Sequence, residues 1–315
     1  MKYILDIDTG IDDALALAYL ISEVKKDILG ITTVFGNTSL ESATMNTVNI
    51  LEMLELSSIP VFKGSDCAIA EDHYIQKRGS KIFHGSNGVA DISLGEIVRQ
   101  DNTQSAAEFI INSARKYGDN LTVIATGPLT NISKALDIDS VAIEGIKELV
   151  IMGGALVVQG NVSRVAEANF FHDAHAAKKI LDSNIPLLLV GLDVSLRTLL
   201  TRDDVSDWKF GTRNQQLFYH LVDYYISAHE FVNSEAAGCA LHDPLAVAIA
   251  LDNSRIYKVP LKLKVLLEED QLGRIVMDCE RMEFNKQRNC SVVLDLDVKY
   301  YESKISRKLT EVLSS

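Results

Sequence analysis

Residues 3–21 read YILDIDTGIDDALALAYLI, and inside them DIDTGIDD (6–13) sets four aspartates, Asp6, Asp8, Asp12 and Asp13, around Gly10. The aliphatic run ahead of the motif reads as a strand and the Ala/Leu-rich run behind it as a helix, so the motif spans a strand-to-helix junction. In open α/β sheets, ligands bind at such carboxyl ends of strands. Residues two apart on a strand share a face, which puts Asp6 and Asp8 on one side with Asp8 nearer the exposed end. Gly10 is expected to let the backbone turn sharply. Asp12 and Asp13 then fall in the first helical turn, where free amides and the helix dipole favour acids. Adjacent helical residues diverge by about 100°, so these two are expected to do different work, one toward an ion and the other toward a polar ligand. Taken singly, each could be a cap or a solvated carboxylate. Together they repel one another unless a cation sits among them, and all-oxygen donors suit Ca²⁺ or Mg²⁺ better than Zn²⁺.

Outward from the motif the same alternation recurs. ILGITTVF is followed by SLESATMNTVNILEML, LTVIAT by LTNISKALDI, and ELVIMG and PLLLVGL come further on. This pattern predicts an α/β, Rossmann-like fold, a mostly parallel central sheet covered by helices on both faces. No repeat or linker-like tract interrupts it, so residues 1–315 are read as one domain with two mobile excursions, around 67–94 and 214–238. The first carries HGSNG (84–88) and the second FYHLVDYYISAHEFV (218–232), a helix-like segment rich in Tyr, Phe and His. After Pro260, LKLKVLLEE and GRIVMD are expected to be strands, then an irregular turn and a last amphipathic helix, packed at an edge of the sheet.

With 47% hydrophobic and 23% charged residues in 315, the chain can bury a large core. A formal net charge of −12 argues against a nucleic-acid surface, which needs clustered Lys and Arg, and favours a small-molecule partner. Cys67, Cys239, Cys279 and Cys290 form no CxxC pair, so neither a zinc site nor a disulfide framework is indicated. Asp6 interrupts the first apolar run, and no stretch of about 18 apolar residues occurs, which leads to the expectation of a cytoplasmic protein without a membrane partner.

A metal at the opening motif requires ligands from other strand ends. LTVIATGPLTNI runs a buried strand into TGP, where the Thr126 carbonyl could turn toward an ion. ALHDPLAVAIALD sets His242 and Asp243 just before Pro244, at the first turn of an apolar helix. MGGALVVQGNVSRVAEANFFHD (152–173) concentrates Asn161, Glu167 and Asn169 after a strand end, two amides and a carboxylate suited to sugar hydroxyls.

These pieces in this order resemble the nucleoside hydrolases, the inosine-uridine-preferring nucleoside N-ribohydrolase family. The fingerprint is DxDxGxDD at 6–13, GN at 36–37, ATGPLTN at 125–131, MGG…GN…AEAN at 152–169 and HDP at 242–244. The resemblance implies a tightly held Ca²⁺ bound by Asp8, Asp13, the Thr126 carbonyl and Asp243, with Asp8 also the general base for the water on that ion. It assigns one ribose hydroxyl to Asp12 and another to Asn169, the 5′ end of the sugar to Asn161 and Glu167, and a supporting place near the ion to Asn37. His242 stands where inosine-uridine-type members carry the acid or base-orienting residue. Base contacts are expected from His84, Tyr225 or His229. The implied reaction is hydrolysis of a ribonucleoside to ribose and free base, in purine or pyrimidine salvage, by a homodimer or homotetramer. Hydrolysis of such a bond passes through an oxocarbenium-like sugar, so the site must hold water on one face and help the base leave on the other.

Thr9 stands where many members have proline, and Ala168 where some have an aromatic residue; neither removes a ligand. The one tryptophan, Trp208, lies outside both excursions, so no tryptophan sandwich around a purine is expected. A haloacid-dehalogenase-like metal-dependent phosphatase would want Thr or Val where Gly10 stands. An HD-domain phosphohydrolase is all-helical. A catalytically idle ribose- or nucleoside-binding regulator is the remaining alternative, against which every mapped metal and sugar position is present.

Overall fold

The computed structural model describes residues 1–95, 102–278 and 290–314. Its strands are β1 (Lys2–Ile7), β2 (Ile28–Thr33), β3 (Val61–Lys63), β4 (Leu121–Ala125), β5 (Glu148–Met152), β6 (Leu187–Val190), β7 (Leu199–Leu200), β8 (Cys239–Ala240), β9 (Ile256–Leu261), β10 (Leu263–Val265), β11 (Ile275–Met277) and β12 (Cys290–Leu296). Its helices are α1 (Ile11–Val24), α2 (Leu40–Met53), α3 (Arg78–His84), α4 (Ala106–Tyr117), α5 (Thr130–Ile138), α6 (Ser140–Glu144), α7 (Ala168–His172), α8 (Ala174–Asp182), α9 (Leu192–Ser195), α10 (Arg213–Val232), α11 (His242–Leu251) and α12 (Val298–Leu313).

Eight strands form the central sheet in the order β3-β2-β1-β4-β5-β6-β12-β9. Every neighbouring pair is parallel except β12 with β9, which is antiparallel. Strands buried on both faces need apolar residues at every position rather than at alternate ones. β4 (LTVIA) is buried throughout and β1 is buried from Tyr3 onward. Period-two geometry then sorts the side chains between two layers. Leu5 and Ile7 join a core with α1, α10, α11 and α12, whereas Ile4 joins one with α4, α5 and α8. This is the single-domain, doubly covered parallel sheet expected from the sequence. The chain reverses direction across the sheet between β1 and β4, and a crevice at such a switch point is where open sheets bind ligands.

The C-terminal part departs from expectation. LKLKVLLEE and GRIVMD do contribute strands, but among the described residues β10 and β11 pair only with each other, antiparallel, outside the main sheet. The segment CSVVLDL, not read as a strand in advance, is β12, and it inserts between β6 and β9. Its two charge-bearing and polar positions, Ser291 and Asp295, diluted the apolar signal, whereas Val292 and Val293 are fully buried. Cys279 and most of the expected irregular turn lie outside the described residues. Cys67, Cys239 and Cys290 are free thiols. No described helix is long and apolar enough to cross a membrane.

Candidate active site

The site forms where β1 and β4 end, and α1 builds most of it. Asp8 follows β1, Gly10 is the N-cap of α1, and Asp12 and Asp13 lie in its first turn. Gly10 has φ −89°, a value open to any residue, so the turn itself does not demand glycine. What excludes a side chain is space, because a Cβ there would lie 2.7 Å from both the Asn37 amide and His84 Nδ1. At Gly36 both reasons apply: φ is +156° and a Cβ would lie 2.0 Å from Asp8 Oδ2. The GN pair at 36–37 is thus shaped around Asp8, whose Oδ2 accepts the Asn37 amide N–H at 2.6 Å.

All four carboxylates of the opening motif are buried, which removes the reading of solvated acids. Asp13 accepts Gly10 N–H at 2.8 Å and the Asn37 side-chain amide at 3.1 Å through Oδ2, and the Thr126 hydroxyl at 2.7 Å through Oδ1. Asp12 accepts the Tyr225 hydroxyl at 3.1 Å. One carboxylate oxygen each from Asp12, Asp13 and Asp243 lie within 4.8 Å of one another, a trio that could hold a metal ion. The expected ion-binding carboxylates were Asp8, Asp13 and Asp243. Although about 100° apart on the helix, Asp12 and Asp13 converge here because Asp243, at the start of α11, stands opposite both. Asp8 borders the trio, with Asp13 its strongest charged neighbour.

Burial dominates the electrostatics. It pushes the carboxyls of Asp12 and Asp13 up to about 6. Asp8 and Asp243 are held well above the carboxylate range, first by burial and then by the neighbouring acids. Asp8 Oδ1 is buried with no hydrogen-bond partner among the described residues. A buried acceptor without a donor is costly, and a cation would satisfy it while relieving the repulsion. The all-oxygen donor set therefore fits a hard divalent cation.

The other expected sugar and metal positions are placed as follows. The Thr126 carbonyl accepts the Asn169 side-chain amide at 2.7 Å, so one of its lone pairs is already engaged. The same amide reaches the Met152 carbonyl at 3.2 Å. Glu167 is the N-cap of α7, with its carboxylate on the backbone amides of Gly154, Asn169 and Phe170 at 2.9, 2.8 and 3.2 Å. Asn161 is exposed and accepts the Ala168 amide at 2.9 Å. In this conformation Glu167 and Asn161 thus organise the loop that presents Asn169.

Beside Asp12 stands a wall of neutral aromatic groups. His84, Tyr225 and His229 do come together, with ring centroids 5.3 Å (His84–Tyr225) and 4.7 Å (Tyr225–His229) apart, and Phe83 packs on His229 at 4.9 Å. His84 Nδ1 accepts the Ile11 amide at 3.1 Å, and His229 Nε2 is buried without a partner among the described residues. His242 Nδ1 lies 2.8 Å from Ser195 Oγ. Burial lowers all three histidines, His84 and His229 to about 4 and His242 to about 3. Trp208 is elsewhere, buried with its indole N–H donating to Thr310 Oγ1 at 2.9 Å.

Three contributors carried no signal in the sequence. The Gln76 side-chain amide donates to the carbonyls of Asn37 (2.7 Å) and Gly85 (3.1 Å), clamping the Gly36–Asn37 turn to the end of α3. The Tyr74 hydroxyl donates to the Gly36 carbonyl. Ser195 sits behind His242. A lone Tyr, Gln or Ser in a polar loop or short helix looks like any surface residue until the fold brings it to the site.

A cluster of buried carboxylates that could hold a metal ion thus stands at a sheet switch point beside neutral aromatic groups, an arrangement suited to an enzyme acting on a small polar ligand with an aromatic part. Residues 3–303 match the family described as inosine-uridine preferring nucleoside hydrolase. The chain is 34% identical over 280 residues to uridine nucleosidase 1 of Arabidopsis thaliana, covering 88% of this chain and 82% of that one. It is 29% identical over 302 residues to the pyrimidine-specific ribonucleoside hydrolase RihB of Escherichia coli (strain K12 / DH10B), covering 95% and 94%. The purine-preferring ribonucleoside hydrolase from Gardnerella vaginalis superposes with a TM-score of 0.96 at 34% identity, covering 100% of this chain and 99% of that one. The chain belongs to the inosine-uridine-preferring nucleoside hydrolase family, enzymes that hydrolyse the N-glycosidic bond of ribonucleosides.

Two outcomes follow from the electrostatics and the packing. Asp6, Asp12 and Asp13 have folded-state values raised from 3.8 to about 7, 6 and 6. At these carboxyls the native state binds more protons than the unfolded chain, which adds stability as pH falls; the buried His84, His172, His229 and His242, lowered from 6.5, act with the opposite sign in the same range. The cation isolates the carboxyls: saturating divalent cation should raise the melting temperature of metal-free protein more near pH 7.5 than near pH 5.5, where protons on the raised carboxyls compete with it. An equal rise at both pH values would contradict the raised values. Gly36→Ala should lower turnover by about 100-fold through displacement of Asp8. Gly79→Ala, where an added Cβ meets nothing within 4 Å, should leave turnover unchanged.

Proposed function

We propose that this protein is a Ca²⁺-dependent ribonucleoside hydrolase in which Asp8 is the general base and His242 assists departure of the nucleobase. The observation that carries this reading is the unpartnered, buried Asp8 Oδ1 beside the trio of Asp12, Asp13 and Asp243. Asp8, Asp13, Asp243 and the second lone pair of the Thr126 carbonyl would hold the cation. Ca²⁺ rather than Mg²⁺ suits an irregular set of oxygens that mixes carboxylates, a carbonyl and ligand hydroxyls. When bound, the cation supplies a lowered pKa for water and two fixed points for ribose hydroxyls.

The chain's own residues supply the rest. Asp8, kept ionised beside a cation, takes the proton of the attacking water. Asp12, directed by the Tyr225 hydroxyl, accepts from a ribose hydroxyl. Asn169 has its amide on the Thr126 and Met152 carbonyls, which leaves its own carbonyl oxygen to accept from a second hydroxyl. Asn161 and Glu167 hold the 5′ side of the site, and Asn37 steadies both Asp8 and Asp13. The anionic floor favours the positive charge that develops on the sugar as the C1′–N bond lengthens. Across from it, His84, Tyr225 and His229 form the base side, carried by the segments 67–94 and 214–238, which we take to move on ligand entry. The names of the similar proteins divide between pyrimidine and purine. A neutral imidazole such as His229, which can donate or accept, suits either class.

Asp8→Asn should retain the fold and lose at least about 10³-fold in kcat on uridine and inosine, measured as reducing sugar released. Near-normal turnover would remove Asp8 from the role. Exhaustive chelation should abolish ribose release by the native enzyme and Ca²⁺ should restore it. Activity that survives chelation, or is restored by Mg²⁺ but not Ca²⁺, would overturn the assignment of the ion.

A further inference from the structure

Ser195 Oγ and His242 Nδ1 are 2.8 Å apart, on residues that are 0% and 7% exposed. A hydroxyl carries one proton and must place it. Helical hydroxyls commonly give it to the carbonyl four residues back, as Thr44, Thr47 and Thr310 do here. Ser195 does not: among the described residues its hydroxyl has the His242 ring as its one hydrogen-bond partner. If the imidazole carried its proton on Nδ1, the buried serine proton would have no acceptor, an unfavourable arrangement. The hydroxyl therefore donates to Nδ1, and the ring's own proton lies on Nε2.

The backbone holds this pair in register. Thr198 N–H donates to the Ser195 carbonyl at 3.2 Å, and Leu241 N–H donates to the Thr198 carbonyl at 2.8 Å. Between them β7 pairs with β8, Leu199 opposite Ala240. Serine and histidine thus stand on two sides of one closed hydrogen-bonded unit, 47 residues apart in sequence.

We propose that Ser195 is a positioning residue that fixes His242 as the Nε2–H tautomer, so that the neutral ring offers a hydrogen-bond donor to the departing nucleobase. This rests on the proposed role of His242 in base departure. As the C1′–N bond breaks, its electron pair goes to the base, and a donor already aimed there gains strength as that charge develops. The opposite tautomer would present a lone pair to an electron-rich leaving group. No covalent bond to serine or histidine forms, and the base takes its final proton from water.

The test compares uridine and inosine, whose bases leave poorly, with p-nitrophenyl riboside, whose phenolate leaves unaided. Ser195→Ala should lose on the order of tenfold in kcat on the nucleosides and little on the nitrophenyl riboside, while Ser195→Thr, which keeps the hydroxyl, restores the nucleoside rate. His242→Ala should show the same selectivity with a larger loss, on the order of 100-fold. The ¹⁵N spectrum should show an acceptor-type Nδ1 and a protonated Nε2 for His242, assigned by their loss in His242→Ala, and a mixed tautomer in Ser195→Ala. If His242→Ala is selective but Ser195→Ala matches the native enzyme, or loses equally on both substrates, the inference about Ser195 fails. A protonated Nδ1 in the native spectrum overturns it even if Ser195→Ala does not fold. Equal losses for His242→Ala on both substrates overturn the role of His242 itself.

Discussion

Four carboxylates buried at the carboxyl end of a parallel sheet are an electrostatic debt that the rest of the structure is arranged around. Asp8, Asp12, Asp13 and Asp243 are at most 6% exposed, so water screens none of them. Part of the cost is met by donors already in place: the Gly10 amide and Thr126 hydroxyl on Asp13, the Tyr225 hydroxyl on Asp12, the Asn37 amide on Asp8. These are few for eight carboxylate oxygens, and the remainder either takes up protons or waits for a cation. The same burial acts with opposite sign on the histidines. Loss of solvent raises the acids and lowers His84, His229 and His242, because in each case it disfavours the charged form. One physical cause thereby produces two unlike halves. The acidic half could take up a metal ion, while the aromatic half stays neutral and offers only hydrogen bonds and ring faces.

This division suits the cleavage of an N-glycosidic bond. In that reaction positive charge grows on the sugar and negative charge on the base, and under the proposed placement the first falls over the carboxylates and the second beside neutral donors. A protonated histidine beside Asp12 would neutralise the acidic floor and compete with the cation. His84 Nδ1 lies 3.8 Å from Asp12 Oδ1, close enough to form such a pair, yet its nitrogen lone pair is occupied by the Ile11 N–H. The first turn of α1 thus keeps a histidine neutral at the same place where it gathers two aspartates.

The fold was legible in the sequence because buried parallel strands leave long apolar runs that no helix period explains. The acidic cluster was legible because one motif gathers four aspartates across the junction of β1 and α1. What could not be read depends on approach between distant segments. Gly10 looked like a turn residue, yet its φ is unexceptional and its side chain is excluded by Asn37 and His84. Glu167 looked like a sugar ligand, and in this conformation three backbone amides occupy it as a helix cap. Ser195 and Gln76 had no pattern at all, since one hydroxyl or amide acquires meaning only from the atom it meets. β12 was missed because its polar positions broke an apolar run that the sheet nevertheless buries.

Asp6, without a role in the sequence, shows how the layer beneath the site is built. It shares a strand face with Asp8 but is reached by side chains of the frame: the Thr32 hydroxyl, and the Asn131 amide at 2.8 Å. The Asn131 amide also donates to the Thr33 carbonyl at 3.0 Å, and its oxygen accepts the Ser65 N–H at 2.8 Å. One asparagine, anchored on Asp6, thus ties the ends of β1, β2 and β3 to the start of α5. The Asp6 carbonyl in turn accepts the Thr126 N–H at 2.9 Å, which places the turn that carries the expected metal-binding carbonyl. The opening motif therefore works at two depths. Asp6 fixes the strand ends relative to one another, and on that frame Asp12 and Asp13, with Asp8 beside them, meet Asp243 closely enough that the cluster could hold a metal ion.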